Sequence, residues 1–175
     1  MALLEWSDAL ALDLPLMDET HHEFVDLLAA VESAPDAGLL PAWQALIDHT
    51  DGHFGQEDEW MVATRFASSN CHTMQHKVVL NVMREGAVLG AQGDLLAVRQ
   101  MARELALWFP QHAQAMDAAL ALHLRRAGFD PATGTGGFLT CLIRYLRKQA
   151  RFEVDERTIQ ECFSGIEKKH LPHIL

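Results

Sequence analysis

Basic side chains are scarce in this chain: 14 Lys and Arg stand against 24 Asp and Glu, for a formal net charge of −10. The deficit lies in residues 1–126, which hold 7 basic and 18 acidic side chains, whereas 127–175 hold 7 and 6. Binding a phosphate backbone needs clustered cations, so this balance argues against nucleic acid as a partner and reads as a solvated acidic surface. Cysteine is also sparse. Cys71, Cys141 and Cys162 form no CxxC, and their odd number leaves one unpaired in any disulfide scheme, which points to free thiols in a reducing compartment. No apolar run is long enough for a spanning helix, and the early acids of Met1–Asp8 do not resemble a secretory signal. The cytoplasm, with no membrane partner, is the expectation. Internal repeats and low-complexity tracts are missing as well.

What is present is helical periodicity. Residues 1–17, with Pro15, predict an extended arm over the core, and Asp18 suits the N-cap of a first helix carrying His21, Phe24, Val25 and Leu28. Ser33 to Gly38 predicts a turn, and Pro41 the first position of a second helix running through Trp43, His53 and Glu57 to about Thr64. A third helix is expected from about Cys71 to Ala87, a turn at Gly90 to Gly93, and a fourth helix from Asp94 to Arg126 ended by Gly128. Pro110 falls inside that fourth helix, where it should kink or locally widen the helix; the bend either is merely tolerated or aims His112. The expected fold class is all-α: an up-down-up-down four-helix bundle over 1–126 with an N-terminal arm. Residues 127–175 read as a C-terminal amphipathic helical extension after a Gly-rich linker.

The helices carry a second pattern. His21, His53 with Glu57, His72 with His76, and His112 with Asp117 each interrupt an apolar stripe. Residues four apart lie about 40° apart in projection, so His53/Glu57 and His72/His76 each present two ligands from one face. His112 and Asp117 are five apart and diverge more, which a kink or a leaning carboxylate would accommodate. A single inward histidine is ordinarily a hydrogen-bonded core residue. Five of them buried with two carboxylates would strand polar groups at several kcal/mol each unless a cation satisfied them. If Glu57, Asp117 and a hydroxide or oxide all bridge two metals, five histidines divide three and two. One metal then reaches six ligands, and the other stops at five with an open position. Imidazole and carboxylate ligation suits iron among other metals, and a ferrous pair with one open position can bind dioxygen.

These residues resemble the hemerythrin family, in particular its single-domain bacterial members. Trp6-Ser7 through Met17-Asp18-Glu19-Thr20-His21 is similar to the family's entry arm and first ligand. His53-Phe54-Gly55-Gln56-Glu57-Asp58-Glu59-Trp60-Met61 resembles its HFxxEExxM run, His72 to His76 its HxxxH, and Trp108 to His112 with Asp117 its WxxxH followed by HxxxxD. The similarity spans residues 1 to about 126. It implies a non-haem di-iron centre (Fe2+/Fe3+) with a bridging oxo or hydroxo group that binds dioxygen reversibly, for carriage, storage or sensing. By motif match His72, His76 and His112 would hold one iron, His21 and His53 the other, with Glu57 and Asp117 bridging. Trp108 and Phe109 would wall the dioxygen pocket. Ala113, Phe109, Pro110 and the Ser68-Ser69-Asn70-Cys71 turn depart from the usual pattern and bear on pocket size rather than on the metal cage.

The competing reading is a di-iron enzyme, or a redox or nitric oxide sensor, acting on peroxide, nitric oxide or dioxygen. Histidine-rich ligation with only two carboxylates favours binding over catalysis, so no enzyme activity is expected. His22, His123, His170 and His173 read as surface residues, and His49, one turn before His53, as a candidate partner of the ligand histidines. The Glu19/His22 and Glu167/His170 pairs match an ExxH pattern but lie at opposite ends of the chain and are discounted. Cys71 reads as an inert thiol. The amphipathic segment 138–166 is expected to pack on its own bundle, with a homodimer or a protein partner as the alternative.

Overall fold

The computed structural model describes residues 4–66 and 69–132. The expectations for 133–175, including the amphipathic hairpin, its interface, Cys141, Cys162, His170 and His173, lie outside the described residues. Four helical rods make the bundle: α1 (Pro15–Ser33), α2 (Asp36–Ala63), α3 (Ser69–Ala91), and a fourth built from α4 (Leu95–His112), a π-helical turn at Ala113–Asp117, and α5 (Ala118–Ala127). Each helix packs on the next and α1 closes the ring on α4, as short connections between antiparallel neighbours require. No helix among the described residues is long and apolar enough to cross a membrane.

Several boundaries differ from those read off the sequence. Helix α1 starts at Pro15, not Asp18, because proline's fixed φ and missing N–H suit the first helical position. Asp18 instead reaches back from the first turn, accepting from the Leu12 and Leu14 amides at 2.7 and 3.2 Å. That bond holds the arm, where Leu10, Leu12 and Leu14 are buried alternately with exposed neighbours, as in a strand. The α1–α2 connection is only Ala34–Pro35, and Asp36 to Leu40 are already helical. Pro41 therefore lies inside α2.

Gly90 lies in α3 rather than in a turn. A Cβ there would come within 2.4 Å of Leu40 Cδ2 and 2.9 Å of Val98 Cγ2, so the glycine serves close helix approach; the turn falls to Gly93, at φ 99°. The fourth helix begins as expected, with the Asp94 carboxylate accepting from the Ala97 amide at 3.0 Å, and ends on Gly128 at φ 62°. It is not one continuous α-helix, however. Pro110 is accommodated within α4, and the change of pitch comes at 113–117, where the Ala118 amide donates to the Ala113 carbonyl, five residues back.

The apolar interior is split into two clusters. The larger gathers Phe24, Trp43, Leu46, Phe54, Met83 and Phe109; the smaller gathers Met17, Trp60, Met61, Leu120 and Leu124 around the arm leucines. Between them in three of the four rods lies a buried polar position: His21 between Met17 and Phe24, Glu57 between Phe54 and Trp60, Asp117 between Ala113 and Leu120. The bundle thus carries a polar layer across its core.

Candidate metal centre

All seven expected ligand residues meet in this layer. Glu57, His72, His76, His112 and Asp117 each offer a ligating atom within 4.8 Å of the others, and His21, His53, Glu57 and Asp117 form a second such group. The two carboxylates belong to both groups. Their oxygens are divided: Glu57 Oε1 faces His53 Nε2 at 3.2 Å and His21 Nε2 at 3.9 Å, while Oε2 faces His72 and His76 at 3.3 and 3.4 Å. Asp117 Oδ2 faces His21 at 3.2 Å, and Oδ1 faces His72 and His112 at 2.8 and 3.1 Å. Each carboxylate therefore spans a set of three histidines and a set of two.

The π-helical turn makes this possible for the last pair. In an α-helix five residues carry a side chain about 140° around the axis. The extra residue per turn brings His112 and Asp117 back to one face. The helix is thus locally widened, at 113–117 rather than at Pro110 itself.

Several of these atoms have no hydrogen-bond partner: both nitrogens of His21 and of His72, both oxygens of Asp117, and Glu57 Oε2 are buried and unmatched. Lone pairs facing one another across about 3 Å repel unless a proton or a cation lies between them, and such groups are costly to bury. His76 Nε2 and His112 Nε2 likewise approach to 3.2 Å. A cation is the species that satisfies the inward Nε2 and carboxylate atoms together, so the residues present fit a metal centre.

Two further residues fix ring orientation, and the sequence reading assigned them no role. Asp58 Oδ1 accepts from His76 Nδ1 at 3.1 Å and from Thr73 Oγ1 at 2.7 Å, and Gln75 Oε1 accepts from His112 Nδ1 at 3.0 Å. With Nδ1 donating, both rings direct an unprotonated Nε2 inward, the tautomer that metal ligation needs. Their signal in the sequence is only position: each adjoins a ligand, Asp58 after Glu57 and Gln75 before His76.

Ionisation follows from crowding. Burial disfavours charge on His72, but the carboxylates of Asp117 and Glu57, 2.8 and 3.3 Å from its Nε2, outweigh it and raise the imidazole to about 10. Burial, helped by the nearby His72 and His76 charges, drives His112 down to about 4. Against their own desolvation, Glu57 and Asp117 are held well below the usual carboxylate range by the surrounding histidines. The layer thus holds two anions and attracts positive charge, whether proton or cation.

Aromatic rings enclose it. Phe54 stacks on His76 at 3.9 Å, Trp108 stacks on His112 at 4.4 Å, and Phe109 sets its edge to His21 at 5.2 Å while stacking on Phe24 at 4.3 Å. Adjacent in sequence, Trp108 and Phe109 serve opposite sides, Trp108 the three-histidine set and Phe109 the two-histidine set. Ala113, the first residue of the π turn, is fully buried in the larger cluster.

The remaining candidates stay apart. His22 is exposed and stacks on Trp6 at 4.3 Å, which removes the Glu19/His22 pair from consideration. His49 donates through Nε2 to the Thr20 carbonyl at 3.1 Å and sits 3.5 Å from Glu23. His123, expected at the surface, is half-buried against Phe66 with Nε2 3.1 Å from the Thr64 carbonyl, because α5 packs over the end of α2. Cys71 is a free, half-buried thiol packed on the larger cluster. Between α1 and α2 a cavity of about 340 Å³ opens from the surface and reaches His53 and Glu57.

Residues 12–124 match the model of the hemerythrin HHE cation binding domain. The bacteriohemerythrin of Ralstonia nicotianae is 38% identical over 130 residues, covering 74% of this chain and 95% of that protein. The bacteriohemerythrin of Stenotrophomonas maltophilia is 25% identical over 125 residues, covering 69% and 81%. A 47-residue stretch is also 45% identical to the type I restriction enzyme EcoEI methylase subunit of Escherichia coli, a match to 10% of that protein.

Proposed function

This chain belongs to the hemerythrin HHE cation binding domain family, and on that premise we propose that it binds dioxygen reversibly at two non-haem irons held by the seven-residue cage. His72, His76 and His112 would hold one ion and His21 and His53 the other, with Glu57 and Asp117 shared by both groups. The observation that carries this reading is the division of each carboxylate's two oxygens between the two histidine sets. A ferrous pair held there would supply the reducing equivalents for binding dioxygen.

The protein's own residues set the conditions. The two carboxylates, ionised and buried, balance cationic charge inside an apolar bundle. Asp58 and Gln75 hold the rings of His76 and His112 so that both lone pairs converge. Phe109, against His21 and Phe24, covers the His21 ring on its apolar side. Binding is favoured over turnover because the nearby buried polar side chains are already engaged: the Thr50 hydroxyl donates to the Leu46 carbonyl, and the Gln75 carbonyl accepts from His112. Neither is placed to deliver a proton, as an oxidase or peroxidase cycle would require.

The test is to reduce the full chain anaerobically, count iron, then admit air while recording visible and resonance Raman spectra. Two irons per chain and an oxygen-isotope-sensitive band that vanishes under vacuum are expected. Rapid irreversible oxidation with turnover of a substrate would replace the carrier reading with the enzymic one. Fewer than two irons per chain would overturn the cage assignment.

A further inference from the structure

The seven ligand residues are not equally enclosed. His21, His72 and Asp117 are 0% exposed and His53, at 5%, is the most exposed of the set. On the three-histidine side Phe54 and Trp108 lie flat on His76 and His112 and close the approach. On the two-histidine side the α1/α2 cavity of about 340 Å³ ends on His53 and Glu57. His53 Nδ1, buried there, has no hydrogen-bond partner.

The chemistry of this cavity changes from mouth to base. At the mouth stand Glu23, whose side chain is 61% exposed, and Asp48, also exposed, with His49 beside them. No Lys or Arg lines it. His49 donates through Nε2 to the Thr20 carbonyl, which turns Nδ1 toward the Glu23 carboxylate 3.5 Å away. Gly52 lies one helical turn below Asp48 and next to His53, and a Cβ added there would meet nothing within 4 Å. Gly52 is exposed and lines the cavity directly beside the ligand.

We propose that the α1/α2 cavity is the entry path by which divalent first-row cations load the cage, drawn in by Glu23 and Asp48 and delivered past Gly52 to His53 and Glu57. Carboxylate and imidazole donors suit a cation shedding its hydration water. An uncharged gas gains nothing from them. Opposite charge at a low-dielectric mouth raises the capture rate and makes it salt-dependent. The proposal rests on the reading that the cage holds iron, and it concerns how the ions arrive rather than what they do.

The experiment is anaerobic stopped-flow uptake of Fe2+ by the metal-free full chain, followed by the final iron count. Gly52→Leu, which plugs the passage without touching a ligand, is expected to slow uptake at least tenfold while still reaching two irons per chain. Glu23→Gln with Asp48→Asn, both on the surface, is expected to slow uptake several-fold and flatten its dependence on ionic strength. This pair keeps the test decisive if Gly52→Leu does not fold. Unchanged rates in folded variants that fill to two irons would overturn the entry path alone. A wild-type chain that takes up no iron would overturn the metal reading, and the path with it.

Discussion

His112 Nε2 and Asp117 Oδ1 lie 3.1 Å apart although five residues separate them, because the backbone between them is a π-helical turn. One residue more than an α-helix needs, inserted at 113–117, rotates Asp117 into the layer occupied by His112.

Inserting an alanine after Gln114, an exposed residue of that turn, sets His112 and Asp117 six residues apart, one more than the π turn absorbs, and is therefore expected to swing Asp117 about 100° away from the other ligands. Circular dichroism should show retained helix, while iron per chain drops below two. An insertion variant that still holds two irons would show that the register set by the π turn is dispensable.

Asp58 is the only anion bonded to the outer nitrogen of a ligand histidine among the hydrogen bonds described. Replacing it with Ala removes the acceptor for His76 and Thr73 and is expected to weaken the metal of the three-histidine set by about 10- to 100-fold. Asp58→Asn, which keeps an acceptor oxygen, should recover part of the loss. Competition with a chelator of known affinity measures both.

Proton and cation compete for the same nitrogens. With His72 raised to about 10, the metal-free cage carries a proton there at neutral pH, and metal uptake must release it. Apparent affinity should rise about tenfold per pH unit between roughly pH 7 and 9 for that one displaced proton. Calorimetry in buffers of different ionisation enthalpy should report the release. For the metal-free fold the sign is opposite. A raised folded-state value stabilises fully below the unfolded value of 6.5, and that contribution is lost as the pH climbs through about 10. His112, lowered to about 4, costs stability on the other side, as the pH falls from 6.5 toward 4. Urea midpoints of metal-free protein across this range would show a fall at both ends.

Glycine tells packing from turn chemistry. At Gly90, facing Leu40 and the fully buried Val98, alanine is expected to cost about 1–3 kcal/mol through overpacking. At Gly52, with open space around it, alanine should stabilise by about 0.5–1 kcal/mol through helix propensity. Equal effects at the two positions in urea denaturation would contradict the close approach of α3 to its neighbours.

Much of the site could be read from spacing alone. His53/Glu57 and His72/His76 are four apart on helices whose apolar stripes point inward, so local geometry already aims each pair at the core. Asp94 and Gly128 mark their helix ends by side-chain and backbone chemistry that acts within a few residues. Other ends were misjudged where a local signal had a second use. Gly90 is a breaker by composition but a contact point by packing, and Asp18 is a cap residue that bonds the arm from inside the first turn.

By itself, then, the sequence determined that the chain is helical, which seven side chains face inward, and that so much buried polarity needs a cation, because period, propensity and desolvation are properties of short segments and side-chain chemistry. Tertiary structure alone decided the register. It set the π turn that reunites His112 with Asp117, the division of each carboxylate between two histidine sets, the bonds of Asp58 and Gln75 to outer nitrogens, and the cavity that reaches His53. Each of these depends on where one helix lies against another to within a fraction of a turn, and that position is fixed by packing of all four helices together rather than by any one of them.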